Sequence, residues 1–248
     1  MAVSYRTKGL VFKKSDRHES DRIFTVFTYD FGRLEIFGKA IRKIESKLKS
    51  GIDIFSLSEI EFIQGKSRKT LTDALAINKF SNLLLDLEKF KISQNIGAIL
   101  DSLINGQEKD EKIWELLIAA FEKLNDPLLP QKKYKLVYYY FFWNFISMLG
   151  YGPQVFKCSC CGAKLNPYSL YFSNKDGGVV CRNCSFLAPG AVKINSDAVK
   201  IIRLILAGNW QVLSRLKTEN AAAGFLDEIS ENYRRHVLSG HSSGFKKI

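Results

Sequence analysis

The five cysteines are the residues of this chain whose spacing points most directly to chemistry. Three of them lie in the segment KCSCCGAKL, and two more lie further on, in VCRNC. Cys158 and Cys161 form one C-x-x-C pair, and Cys181 and Cys184 form a second. Two such turns present four thiolates to one ion, which is the tetrahedral ligand set that Zn²⁺ favours. The sequence therefore predicts a bound zinc ion with these four ligands, and Cys160 is the spare thiol.

A structural role is the one expected for this metal. Four sulfur ligands close the coordination shell and leave no position for a reactive water molecule. A zinc deaminase would also need H-x-E and P-C-x-x-C motifs, and the sequence contains neither. Using Cys160 in place of Cys161 would leave one residue between the first two ligands and make a poorer chelate, but this exchange stays open. Whether the zinc ribbon formed by the two cysteine pairs also contacts nucleic acid stays open as well.

Other patterns for catalysis are weak. The sequence has no Walker A loop and no Rossmann fingerprint. Four carboxylates near the N-terminus could bind Mg²⁺ as in a nuclease, but basic residues alternate with them, which favours a role as loop caps. These carboxylates are Asp16, Glu19, Asp21 and Asp30. We expect a binding protein that is not an enzyme, and a metal-dependent nuclease is the alternative.

Composition agrees with a polyanionic partner. The chain has 248 residues, a formal net charge of +12 and 46% hydrophobic residues, which is enough for two folded domains. The basic excess lies in residues 1–70 and 131–190, while residues 71–130 are acidic. The N-terminus has no apolar signal segment, so we expect a reducing cytoplasm, where clustered cysteines bind metals more often than they form disulfides. The apolar run Leu136 to Gly150 is short for a bilayer and predicts a buried helix.

The periodicity of the apolar residues changes near Ser81. Before it, segments such as DRIFTVFT, RLEIFGKA and IDIFSLSEIEFIQ predict short strands, with Gly32 in a hairpin turn. After it, helical spacing predicts one helix from Ser81 to about Ile104, a second capped by Asp110, the buried helix, and three more after the cysteines. The predicted class is α+β. An N-terminal OB-fold β-barrel fills 1–80, an α-helical domain fills 81–248, and the zinc ribbon is inserted at 155–188.

The stretch GKAIRKIESKLKSG, residues 38–51, is the most basic part of the predicted barrel. On a loop, its cations would neutralise several phosphates. On an amphipathic helix, its apolar residues Ala40, Ile41, Ile44 and Leu48 would face inward. The two interpretations are compatible, because buried apolar residues would position outward cations.

The pattern ESDRIFTVFTYDFGRLEIFGKAIRKIESKLKSG closely resembles the N-terminal domain of the bacterial RecO family of recombination mediators. Further along, LGYGP, the C-x-x-C-G knuckle and the GGVVCRNC knuckle follow in the family's order. The resemblance covers nearly the whole chain. It implies an OB-fold followed by a helical domain with a zinc ribbon. Since some family members lack the four cysteines, it also supports a structural metal.

The resemblance further implies DNA repair and recombination without a chemical step. The protein would bind single- and double-stranded DNA and anneal complementary strands. Its partners would be RecR and the C-terminal tail of single-stranded DNA-binding protein (SSB), and it would help to load RecA on SSB-coated DNA. The setting would be the cytoplasm, at the nucleoid. A zinc-ribbon module for RNA binding or transcription is a third reading of the same cysteines and charge.

Carried onto this sequence, the resemblance places the main DNA contacts on the cations of the basic stretch, Lys39, Arg42, Lys43, Lys47 and Lys49. Further contacts are expected from other cations of the same domain, Arg6, Lys8, Arg33, Lys66, Arg68 and Lys69. Tyr5, Tyr29 and Phe37 are candidates for base stacking, although packing is the favoured role for each. The sequence does not place the pocket for the SSB tail.

Overall fold

The computed structural model describes residues 3–216 and 220–244. The chain divides into two compact units, Met1–Tyr134 and Lys135–Ile248. The domain limits expected from the sequence, 1–80, 81–248 and 155–188, stay predictions.

The first unit begins with a closed five-stranded barrel, which confirms the predicted OB-type fold. Its strands are β1 Ser4–Arg17, β2 Asp21–Thr28, β3 Gly32–Gly38, β4 Leu57–Gln64 and β5 Lys69–Asn78. They close in the order β1-β2-β3-β5-β4, and only the short β3–β5 pairing among these strands is parallel. Because the sheet closes on itself, the barrel exposes no long unpaired edge.

Side chains at alternate positions of the strands fill the barrel. Val26, Leu34, Ile36 and Ile60 are all buried in one cluster. This is the period of two that strands with one buried face require. Gly32 has φ 61° in the β2–β3 turn, where a side chain would meet the backbone of the segment before the third helix. The predicted hairpin therefore forms with its glycine in the turn.

The predicted strand 52–64 was too long, since β4 begins at Leu57. Phe55 has φ 57°, which turns the backbone out of strand geometry. Its amide donates to the carbonyl of Val11 at 2.7 Å, and its buried ring packs against Phe90 and Phe121. Because the Phe55 ring packs against helices, the alternating pattern begins several residues before the strand does.

Three helices complete the first unit: α1 Ser81–Leu85, α2 Leu87–Leu103 and α3 Glu111–Asn125. The sequence predicted α1 and α2 as one helix, and this was wrong. Asp86 is extended, and its carboxylate accepts hydrogen bonds from the amides of Glu88 and Lys89, so that it begins α2 as an N-cap. Asp110 caps α3 as predicted.

The second unit is mainly helical. Its long helices are α4 Tyr134–Met148, α6 Ser196–Leu206 and α8 Asn220–Gly244, and the short helices α5 Arg182–Ser185 and α7 Trp210–Arg215 lie between them. Helix α4 is buried, as predicted. The Trp143 indole donates to Ser230 Oγ at 3.1 Å and stacks on Tyr233 of α8. Within the described residues, no helix combines the length and the apolar character needed to cross a membrane.

A small sheet carries the cysteines. Strands β6 Leu170–Ser173 and β7 Gly178–Cys181 are antiparallel, as a ribbon requires. A third strand, β8 Val192–Ile194, pairs with β6 and was not predicted. A strand of three residues is too short for alternation of apolar and polar side chains to reveal it in the sequence.

Candidate metal centre and nucleic-acid interface

The four predicted ligands come together. The Sγ atoms of Cys158, Cys161, Cys181 and Cys184 all lie within 4.8 Å of one another. The Sγ atoms of Cys161 and Cys181 are 3.9 Å apart. A tetrahedron with Zn–S bonds of about 2.3 Å has sulfur–sulfur distances of about 3.8 Å. The spacing and the chemistry of these donors therefore fit, and the group could hold a metal ion.

Backbone hydrogen bonds shape the first knuckle. The Cys158 amide donates to the Ala163 carbonyl at 2.9 Å, and the Gly162 amide donates back to the Cys158 carbonyl at 2.9 Å. Gly162 has φ 71°, a conformation that glycine adopts without steric cost. The second knuckle begins where β7 ends at Cys181, whose amide points to Cys158 Sγ at 3.3 Å. The two turns thus meet at the sulfur of a buried cysteine.

The ionisation of Cys158 suits a metal ligand. Burial raises the pKa of this thiol, but the backbone N–H groups of Cys161, Cys181 and Cys160 outweigh burial and lower the pKa to about 6. Hydrogen bonds to Cys161 and Cys181 raise the pKa of Cys184 instead. Cys160 is exposed and does not belong to the group of four.

Most of the N-terminal carboxylates have partners on the barrel. Asp16 pairs with Arg22 at 2.7 Å, and the hydrogen bond from Arg22 is the main cause of its lowered pKa. Asp21 accepts from the amide of Ala40 at 2.7 Å, and Asp30 accepts from Thr7 Oγ1, also at 2.7 Å. Among the described residues, only the cysteines form a group of His, Cys, Asp or Glu close enough to hold a metal.

The basic stretch is a loop between β3 and β4, which we call the basic loop, residues 38–51. A single 3₁₀ turn, Lys47–Ser50, is its only regular element. Ile41 is buried in the barrel core, and Leu48 packs against it. Ile44 is 95% exposed, so the inward helical face expected from the sequence was wrong for this residue. Positive φ at Ala40 turns the chain away from the helical path.

Two more contacts fix the basic loop. The amide of Arg42 donates to the Ser20 carbonyl at 3.0 Å, next to the β1–β2 turn. At the other end, Gly51 lies so close to β5 that an added Cβ would be 1.8 Å from the carbonyl oxygen of Ala74. The loop is therefore held by its apolar residues and backbone, while all five predicted cations remain exposed. These are Lys39, Arg42, Lys43, Lys47 and Lys49.

Ion pairs separate the eleven cations predicted to contact DNA into two groups. Arg6 pairs with Glu59 at 2.7 Å, Arg33 with Asp101 at 2.7 Å, and Arg42 lies 3.6 Å from Asp16. The other eight make no ion pair within the described part of the chain. They are Lys8, Lys39, Lys43, Lys47, Lys49, Lys66, Arg68 and Lys69.

Strand register brings three connections to one end of the barrel. The β1–β2 turn closes at the pair of Arg17 with Asp21. Gly38, where the basic loop starts, pairs with the next residue of β2. The β4–β5 turn closes at Gln64 and Lys69, and β5 leaves it beside the end of β3. A cleft of about 540 Å³ opens at this end. Arg17, one of the basic residues that alternate with the N-terminal carboxylates, also lines this cleft.

Each aromatic candidate packs against a neighbouring side chain. Tyr5 stacks on Phe62 with ring centroids 5.5 Å apart, and Tyr29 lies edge-on to Trp114. Phe37 is 7% exposed, and the guanidinium of Arg68 covers its ring at 3.9 Å. These rings therefore pack against other side chains, which is the role that the sequence favoured.

Comparison with known proteins adds the family. Residues 1–80 match the family model "Recombination protein O N terminal", and residues 84–243 match "Recombination protein O C terminal". A curated protein of Roseiflexus sp. (strain RS-1), named DNA repair protein RecO, is 25% identical over 94% of this chain and 81% of its own length. Proteins of the same name from Dehalococcoides mccartyi (strain CBDB1) and Thermoanaerobacter sp. (strain X514) are 28% and 27% identical. Each match covers 94% of this chain, with 90% and 92% of the relatives' own lengths.

The two family models together account for nearly the whole chain, and the resemblance noted from the sequence is confirmed. The closed barrel, the helices that follow it and the four clustered cysteines agree with that match. This chain belongs to the RecO family, whose members act in DNA repair and recombination.

Proposed function

We propose that this protein is a recombination mediator that binds single- and double-stranded DNA, anneals complementary strands and helps to load RecA on SSB-coated DNA. The observation that carries the proposal is the basic loop, whose buried Ile41 and partly buried Leu48 hold its lysines outward without acidic partners in the described chain. Cations in this arrangement release the counterions of DNA when they bind phosphates, so affinity falls steeply with salt.

Annealing follows from the same electrostatics. Two strands repel each other through their phosphates, and a surface that neutralises both lowers this repulsion while leaving the bases free to pair. No bond is made or broken, so we propose that the protein is not an enzyme. The partners of Asp16, Asp21 and Asp30 support this, since these carboxylates are engaged by the barrel itself. RecR, the SSB tail and, indirectly, RecA are the proposed partners, and the nucleoid region of the cytoplasm is the proposed location.

Labelled DNA tests binding and the alternatives together. The protein is incubated with single strands, duplex and RNA of equal length, with Mg²⁺ or Mn²⁺, at several salt concentrations. We expect both DNA forms to bind, affinity to fall with salt, and strand length to stay unchanged on a denaturing gel. Shortened strands would establish a nuclease. Preference for RNA or for one duplex sequence would favour the RNA-binding or transcription module.

We further propose that the metal is zinc and that it is structural. Bound zinc would hold the two knuckles together, and the four cysteines are all the ligands it needs. Zinc content per chain, measured by mass spectrometry of the purified protein, should be about one and should fall sharply in Cys158→Ser. The matched variant Cys160→Ser should keep its zinc. Full zinc in Cys158→Ser together with loss in Cys160→Ser would make Cys160 a ligand.

A further inference from the structure

The cleft at the end of the barrel combines an aromatic ring, a guanidinium and side-chain amides, and binding to phosphates alone does not require this combination. Its volume of about 540 Å³ falls within the range typical of small-molecule sites. Ile23 and Phe37 of the barrel strands contribute apolar surface, Arg68 enters from the β4–β5 turn, and Lys69 is the first residue of β5. Asn105 and Gln107, from the segment between α2 and α3, add amide groups to the lining.

Arg68 is the central feature of this cleft. Its guanidinium lies 3.9 Å from the centroid of the Phe37 ring and is in contact with one face of that ring. The residue itself is exposed, and it makes no ion pair with any described residue. A guanidinium is planar and weakly hydrated, so its second face can receive another flat group. By contrast, Arg33, in the same cleft, is tied to Asp101 and Glu35.

The charges around Arg68 suit a nucleotide. Arg17 and Lys69 also line the cleft and make no ion pair among the described residues, while Glu35, which lines it too, is paired with Arg33. A base inserted over Arg68 would therefore have cations within the same cleft for its phosphates. The side-chain amide of Gln107 can donate to and accept from the edges of a base.

We propose that this cleft is a seat for one unpaired nucleobase, which stacks on the guanidinium of Arg68 while Phe37 supports that guanidinium from below. Bases of single strands stack on aromatic rings and on arginine planes in this way. The proposal rests on the proposed DNA-binding function and adds a distinction to it. A base in duplex DNA is stacked and paired, so the seat acts on single strands, whereas the basic loop serves single strands and duplex alike.

The substitution Arg68→Lys isolates the stacking. It keeps the positive charge and an aliphatic stem over Phe37, but it removes the planar group. Lys66→Ala is the matched control for Arg68→Ala, because it removes one exposed cation from the same turn without touching Phe37. The probes are an oligothymidylate of about 12 nucleotides, the same strand with abasic positions, and a duplex of equal length. Binding is measured by fluorescence anisotropy at constant salt.

Loss of one base stack should weaken binding of the oligothymidylate about fivefold or more in both Arg68 variants. Duplex affinity should change little in Arg68→Lys. Wild-type protein should bind the abasic strand more weakly than the oligothymidylate, and Arg68→Lys should discriminate less between them. Lys66→Ala should lower affinity for single strands and duplex by similar factors.

Two results would overturn the base seat while leaving DNA binding intact. One is an unchanged oligothymidylate affinity in Arg68→Lys with a loss in Arg68→Ala, which would show that only the charge matters. The other is an equal loss for duplex and single strands in both variants. If the wild-type protein binds neither form of DNA, the proposed function itself fails. Thermal unfolding of each variant shows whether the barrel is intact, and Arg68→Lys remains informative if Arg68→Ala is destabilised.

Discussion

The salt dependence of DNA binding gives the most quantitative test of the basic loop. Lys43, Lys47 and Lys49 are exposed, and none of them makes an ion pair with a described residue. If each contacts one phosphate, each contributes about 0.7 to the slope of log affinity against log salt on single-stranded DNA. Replacing all three with alanine should therefore lower that slope by about 2.

The change is large enough to measure by anisotropy titration. Over a fourfold rise in salt, the affinity of the variant should fall roughly 20-fold less than that of the wild-type protein. The control replaces Lys91, Lys112 and Lys132, three exposed lysines outside the barrel, and removes the same charge. If both triple variants lower the slope equally, net charge explains the effect. A wild-type slope in the basic-loop variant would refute the proposed contacts.

Two further predictions concern stability of the first unit. Gly51→Ala should lower the melting temperature and weaken DNA binding, because the added Cβ would overlap the carbonyl oxygen of Ala74. Overpacking of this kind costs about 1–3 kcal/mol of folding stability. An unchanged melting curve would contradict the close approach of Gly51 to β5. Asp101→Asn should destabilise at neutral pH. Burial raises the pKa of Asp101, but hydrogen bonds from Lys13 and Arg33 outweigh burial and lower this pKa overall. The ionised carboxylate therefore stabilises the fold at pH values above the ordinary aspartate pKa of about 4, and this stabilisation is lost as the pH falls below that value. Urea unfolding should show the difference from wild type at pH 7 and a smaller one below pH 4, and a constant difference would argue against the ion pairs.

The parts of the fold that the sequence predicted are those where local pattern and tertiary packing agree. Alternating apolar residues predict β2 and β3 because one face of each strand lies in the barrel core. The carboxylate at Asp110 predicts the start of α3 because an N-cap acts within one turn. The cysteine pairs predict their cluster because ligand spacing is set by a tight local turn.

The errors occur where the apolar pattern does not by itself decide the conformation. Phe55 belongs to an apolar run that predicts a strand, but its ring packs between helices and the backbone turns with positive φ. Asp86 lies within a helical pattern, and its own side chain begins a new helix there. Ile44 fits a helical face that the basic loop never forms, since only Ile41 and Leu48 reach the core.

The sequence identified the cations of the candidate DNA interface, but it did not show how these cations are arranged. The family resemblance, carried onto the cations of the first domain, made Arg33 and Arg68 equivalent candidates. The structure separates them, because Arg33 is paired with Asp101 whereas Arg68 lies over Phe37. The contribution of Arg17 depends on strand register, which places it at the same barrel end as the β4–β5 turn. Neither distinction has a local signal in the sequence.

Annealing of complementary strands coated with SSB is the decisive measurement for the proposed mediator function. Two strands carrying a fluorophore and a quencher are coated with SSB and mixed with the protein, and the product is also run on a denaturing gel. We expect rapid quenching with wild-type protein, unchanged strand lengths, and slow quenching with the variant lacking Lys43, Lys47 and Lys49. Quenching no faster than in buffer, or shortened strands, would contradict it.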